Sequence, residues 1–120
     1  MAEYAKVVSL LKRSLTITRE IGDHRGEAQS LNELGVDYRS QGNDSQAMQS
    51  HTRSVQMSGE VGDRRTEGSA LGNIGMDYYA QGDYKEAIRC NEIRLEISRE
   101  IGDRQREGNA LGNLGNAYRA

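Results

Sequence analysis

The sequence predicts an all-α fold, a right-handed solenoid of six antiparallel helices forming one array over residues 1–120. Three observations carry this. The chain repeats itself every 40 residues, each unit holds two amphipathic helical patterns, and a glycine followed by a capping side chain separates each pattern from the next. Displaced by 40, Gly22, Gly62 and Gly102 superimpose, as do Asp23, Asp63 and Asp103, Glu27, Glu67 and Glu107, Leu31, Leu71 and Leu111, Gly35, Gly75 and Gly115, and Tyr38, Tyr78 and Tyr118. Between 61–80 and 101–120, 12 of 20 positions are identical, which chance does not produce.

The elements follow in order. A first helix near 3–21 matches the second pattern of a unit, because Tyr4 to Ile21 aligns with Tyr84 to Ile101. The helix near 24–41 places Ala28, Leu31, Leu34, Gly35 and Tyr38 on one face with spacings of three and four. Gly42 ends it, since glycine enters the left-handed region without a Cβ clash. Asn43 caps the next helix, near 44–61, whose stripe is Ala47, Met48, His51, Val55 and Val61. Gly62 and Asp63 repeat the joint before a helix near 64–81. Gly82 and Asp83 precede one near 84–101, with Ala87, Ile88, Leu95, Ile97 and Ile101 inward. Asp83 with Glu86 forms the pattern of a capping box. Gly102 and Asp103 lead into the last helix, near 104–119. If the first pattern of a unit is labelled A and the second B, the order is B-A-B-A-B-A.

Composition restricts the functions available. The formal net charge is −2, without the basic stripe that nucleic acid or an anionic membrane demands. No stretch approaches the roughly 18 apolar residues of a membrane span. Lys6, Lys12 and Arg13 interrupt the apolar residues of the first helix, so it is not a secretory signal, and a cytoplasmic location is expected. Cys90 is the single cysteine, so no intrachain disulfide can form. Leu, Ile and Val total 21 of 120 residues, with no Phe, Trp or Pro, so part of the core must be built from the 14 glycines and 10 alanines, where helices approach closely.

Leu31, Leu34-Gly35, Tyr38 and Ala47, then Leu71, Ile74-Gly75, Tyr78 and Ala87, then Leu111, Leu114-Gly115 and Tyr118 resemble the tetratricopeptide repeat, TPR. The period of 40 exceeds that family's usual length of about 34. The family's usual proline after helix B is replaced here by Glu-Ile/Val-Gly-Asp at 20–23, 60–63 and 100–103. This longer variety resembles the repeats of Pins-type spindle-orientation adaptors, through Leu71-Gly72-Asn73 and Leu111-Gly112-Asn113; the first unit departs with Asn32-Glu33. The resemblance implies a non-enzymatic scaffold that binds a protein or peptide partner, with an extended segment held by the concave face of the A helices. On this sequence the groove positions it implies are Glu33, Val36 and Arg39, then Asn73, Met76 and Tyr79, then Asn113, Asn116 and Arg119. They vary between units while the framework does not, as reading an irregular ligand requires.

Repetition argues against catalysis. The carboxylates Glu20, Asp23 and Glu27 recur at 60/63/67 and 100/103/107, which fits helix capping and pairing with Arg19, Arg64, Arg99 and Arg104. His24 and His51 stand alone, without the tight ligand spacing of a zinc site. Gly72 and Gly75 lie within a helical pattern and lack the strand and Gly-Lys-Ser/Thr of a phosphate loop. No catalytic residue, metal or cofactor is expected. The outer helices suggest a second function. Val7, Leu11 and Leu15 would lack a preceding A helix, and Leu111, Leu114 and Tyr118 a following B helix, so these six are candidates for head-to-tail homo-oligomers or filaments. The other reading, and the favoured one, is that residues 1–120 are a fragment of a longer array in which both faces are covered.

Overall fold

A computed structural model describes residues 2–120 and contains six helices: α1 (Ala2–Glu20), α2 (His24–Ser40), α3 (Asp44–Val61), α4 (Arg64–Ala80), α5 (Tyr84–Glu100) and α6 (Arg104–Arg119). Each packs on its neighbour in sequence, giving a stack of antiparallel pairs. The helix bounds agree with the sequence reading to within about one residue.

The joints explain this agreement. All five glycines between helices, Gly22, Gly42, Gly62, Gly82 and Gly102, have φ between 69° and 80°. The residue after each glycine serves two helices at once. Its backbone N–H closes the helix behind: Asn43 N–H donates to Tyr38 C=O at 2.8 Å, and Asp83 N–H to Tyr78 C=O at 2.9 Å. Its side chain caps the helix ahead: Asp23 Oδ1 accepts from Gly26 N–H at 2.9 Å, and Asp103 Oδ1 from Arg106 N–H at 3.1 Å. This dual use corrects the capping box expected at Asp83 and Glu86. Asp83 does accept from Glu86 N–H, but its own N–H is already spent on Tyr78, so Glu86 has no donor to return to and lies toward Arg89.

Val8, Leu15, Leu31, Leu34, Tyr38 and Ala47 form the apolar core of the N-terminal half, with Leu11 packed against it. Along α3 and α5 much of the buried surface is polar: His51, Ser54, Ser58, Asn91 and Ser98. The serines remain satisfied by hydrogen bonds, Ser54 Oγ donating across to Ala28 C=O of α2 at 2.7 Å and Ser98 Oγ within its own helix to Arg94 C=O at 2.9 Å. Glycines on the A helices receive the bulk of the B helices. A Cβ on Gly68 would lie 3.2 Å from Ile97, one on Gly72 2.9 Å from Arg94 and one on Gly75 2.9 Å from Asn91. The small-residue contacts inferred from composition are therefore present. The glycines of α6 are the exceptions, because a Cβ on Gly108, Gly112 or Gly115 would meet nothing within 4 Å.

The A helices α2 and α4 also touch each other, whereas no two B helices do so to the same extent. The stack thus curves with its A helices on the inner side, and that side carries the candidate groove. No described helix is long and apolar enough to cross a membrane.

Candidate peptide-binding groove

Two depressions open on the A-helix side. One, of about 200 Å³, is lined by Gly75, Met76 and Tyr79 of α4, Asn91 of α5, and Asn113 and Asn116 of α6. The second, of about 160 Å³, is more polar and lies among Gln29, Asn32 and Glu33 of α2, Arg65, Thr66 and Ser69 of α4, and Arg106 of α6. Gly75 and Asn91 meet closely at the edge of the first, since a Cβ on Gly75 would lie 2.9 Å from the Asn91 amide. Met76 and Tyr79 stand exposed beside it, and Tyr79 is braced edge-on by Tyr84 at 5.3 Å between ring centroids. Asn116 Oδ1 accepts from Arg119 at 2.6 Å, which orients that amide.

Four of the nine groove residues read from the sequence, Met76, Tyr79, Asn113 and Asn116, thus meet around one cavity. Glu33 lines the second depression, Val36 is exposed on α2, and Arg119 is exposed at the end of α6. Arg39 and Asn73 are differently placed. Arg39 donates to Asp77 Oδ1 at 2.8 Å and to Asn73 Oδ1 at 3.3 Å, and Asn73 Nδ2 donates to Asn32 Oδ1 at 3.0 Å. Their polar groups bind the repeats together and are not free to grip a ligand.

His51 completes that network from α3. Asn32 Oδ1 is an acceptor only, so the 3.0 Å contact requires His51 to donate from Nδ1, leaving Nε2 as the basic nitrogen. Nε2 is buried without a partner. Burial, with Arg39 nearby, lowers the His51 pKa to about 4. The imidazole is neutral at pH 7 and holds two helices together. Asp77 is shifted up, because burial outweighs the pull of Arg39. Sequence reasoning missed this network, yet a signal existed. His51, Asn32 and Glu33 all break the repeat within one unit, and departures that cluster in one unit compensate one another.

Many of the remaining charged side chains pair with one another. Arg19 pairs with Glu27 at 2.8 Å, Arg64 with Glu67 and Glu100 at 2.8 Å each, and Arg99 with Glu107 at 3.1 Å. These are the pairings that repetition implied. Burial pushes the Cys90 thiol up, away from the thiolate a nucleophile needs. Among the described residues no three His, Cys, Asp or Glu side chains converge.

The candidates for self-association divide in two. Val7, Leu111 and Tyr118 are exposed, whereas Leu15 and Leu114 are buried within the chain and Leu11 packs on the core. Leu15 and Leu11 face α2, not the open side of α1, so they are not available to a second molecule. The exposed large apolar residues of α1 are Tyr4, Val7, Leu10 and Ile17, with Ile21 in the turn that follows.

Two models, each described as tetratricopeptide repeat, match residues 28–61 and 66–120. The chain carries tetratricopeptide repeats. The fold is also that of the crystal structure of BtubC (BKLC) from P. vanneervenii, at a TM-score of 0.85 and 19% identity over 98% of this chain. The tetratricopeptide array spans 50% of that chain's length. No curated protein matches the sequence.

Proposed function

We propose that this tetratricopeptide array is a non-enzymatic protein-interaction scaffold that holds an extended peptide segment along the inner side of its A helices. The observation that carries this reading is the cavity between α4 and α6. It joins apolar surface from Met76 and Tyr79 to the amides of Asn113 and Asn116. Amides both donate to and accept from a peptide backbone, while Met and Tyr receive an apolar side chain. Glu33, Val36 and Arg119 extend the surface to either side. The Leu-Gly-Asn runs at 71–73 and 111–113 support a place among the Pins-type variety, a resemblance that implies Asn and Arg side chains of the A helices holding an extended segment.

A random peptide display library panned on the chain tests the reading. Enriched peptides should share an apolar anchor. Their affinity should fall about tenfold in Tyr79→Ala and in Asn116→Ala, both on exposed positions, with far-UV circular dichroism unchanged. A library that yields no binder, or binders indifferent to both substitutions, rejects the groove.

A further inference from the structure

One charged side chain between α4, α5 and α6 has nothing to answer it. Arg94 of α5 is half-buried, and among the described residues its guanidinium has neither an ion-pair nor a hydrogen-bond partner. Its Nε is enclosed without one. The charges it feels are Arg106 and Asp103, and burial with Arg106 nearby pushes its pKa down. Asp103 is already shared, since Arg106 reaches its Oδ2 at 3.1 Å and Arg65 at 3.4 Å. Three guanidinium groups thus draw on one carboxylate.

The repeat marks this as a local departure. The residues aligned with Arg94 are Ser14 and Ser54, and Ser54 is buried and bonded to Ala28 C=O. Arg94 passes over Gly72, where a Cβ would lie 2.9 Å from its Nε, and the residue aligned with Gly72 in the first unit is Asn32. Arginine on α5 and glycine on α4 therefore belong together. A half-buried cation without a counter-charge costs free energy, which an arriving anion recovers.

Arg65 and Arg106 also line the polar depression, with the hydroxyls of Thr66 and Ser69 beside them and Glu33 facing them from α2. Arg65, Arg94 and Arg106 against Asp103 and Glu33 leave one positive charge over. We propose that this junction receives one carboxylate, the side chain of an Asp or Glu in the segment that the groove binds. The proposal rests on the peptide reading and adds an acidic residue to it. On α6 Arg106 lines the polar depression, while Asn113 and Asn116 line the apolar cavity. That separation along the helix is roughly 10–15 Å at 1.5 Å per residue. An extended segment covers it in about four residues.

The display-selected peptides test it. They should carry Asp or Glu about four positions from the apolar anchor, and changing that residue to Asn or Gln should weaken binding about tenfold. Arg94→Met should weaken the acidic peptide about tenfold and leave its amide counterpart unchanged. It should leave the stability of the free chain in urea unchanged or higher, because it removes a cation that has no partner. An arginine with a purely structural role would instead lose stability and treat both peptides alike, and that result overturns the proposal. Binders without an acidic residue overturn it too, while the groove stands. A phosphoserine in place of the acidic residue that binds more than about tenfold tighter would assign the junction to phosphate and also overturn it. A library without binders rejects the groove and this proposal together.

Discussion

Identical residues in the repeat do different work according to what lies above them. Gly35 faces His51, and a Cβ there would overlap the imidazole ring. Gly115 occupies the same repeat position with nothing within 4 Å. Alanine at the two sites should therefore act with opposite signs. Gly35→Ala should destabilise by about 1–3 kcal/mol through overpacking. Gly115→Ala should stabilise the monomer by up to about 1 kcal/mol, the ordinary helix advantage of alanine over glycine. Urea unfolding at low concentration measures both. His51 gives the second prediction at this scale. Its folded-state pKa of about 4 lies below the ordinary 6.5, so the unfolded chain takes up a proton first as pH falls. The stability this group contributes is complete above about pH 6.5 and is lost progressively between 6.5 and 4, by on the order of 3 kcal/mol in all. His51→Asn, which installs the residue found at the aligned Asn91, should flatten that part of the profile.

Between elements, the chain Asp77–Arg39–Asn73–Asn32–His51 spans α2, α3 and α4 and crosses from one repeat to the next. Arg39→Ala leaves the buried Asp77 without its cation and should cost about 2 kcal/mol. A double-mutant cycle with Asp77→Asn should show the two substitutions to be non-additive. The helices and their joints were legible in the sequence because each joint is local, a glycine at positive φ followed by a residue that caps with its side chain. The groove was legible only in part. Register along a helix shows which residues share a face, and that was enough for Met76, Tyr79, Asn113 and Asn116. It does not show that Arg39 and Asn73 are drawn into contact across a repeat boundary, because that depends on Asp77 and on an Asn32 whose aligned positions are glycine. The same limit misplaced Leu15 and Leu114. Both lie on apolar stripes, and a helix with apolar residues on two faces does not reveal in sequence which face its own chain covers.

For the whole molecule, the scarcity of large aliphatic residues becomes a consequence of architecture. Close stacking of glycine-bearing A helices on B helices buries His51, Ser54, Ser58 and Asn91 where a larger domain would bury Leu and Phe. Such a stack presents a shaped inner surface, with a cavity of about 200 Å³ between α4 and α6. The central claim is that this inner surface binds an extended peptide. Titration of the isotopically labelled chain with a display-selected peptide, followed by amide NMR, tests it most directly. Shift changes should centre on Met76, Tyr79, Asn113 and Asn116 and spread along the inner faces of α2, α4 and α6. Changes centred instead on the outer faces of α1, α3 and α5 would contradict it.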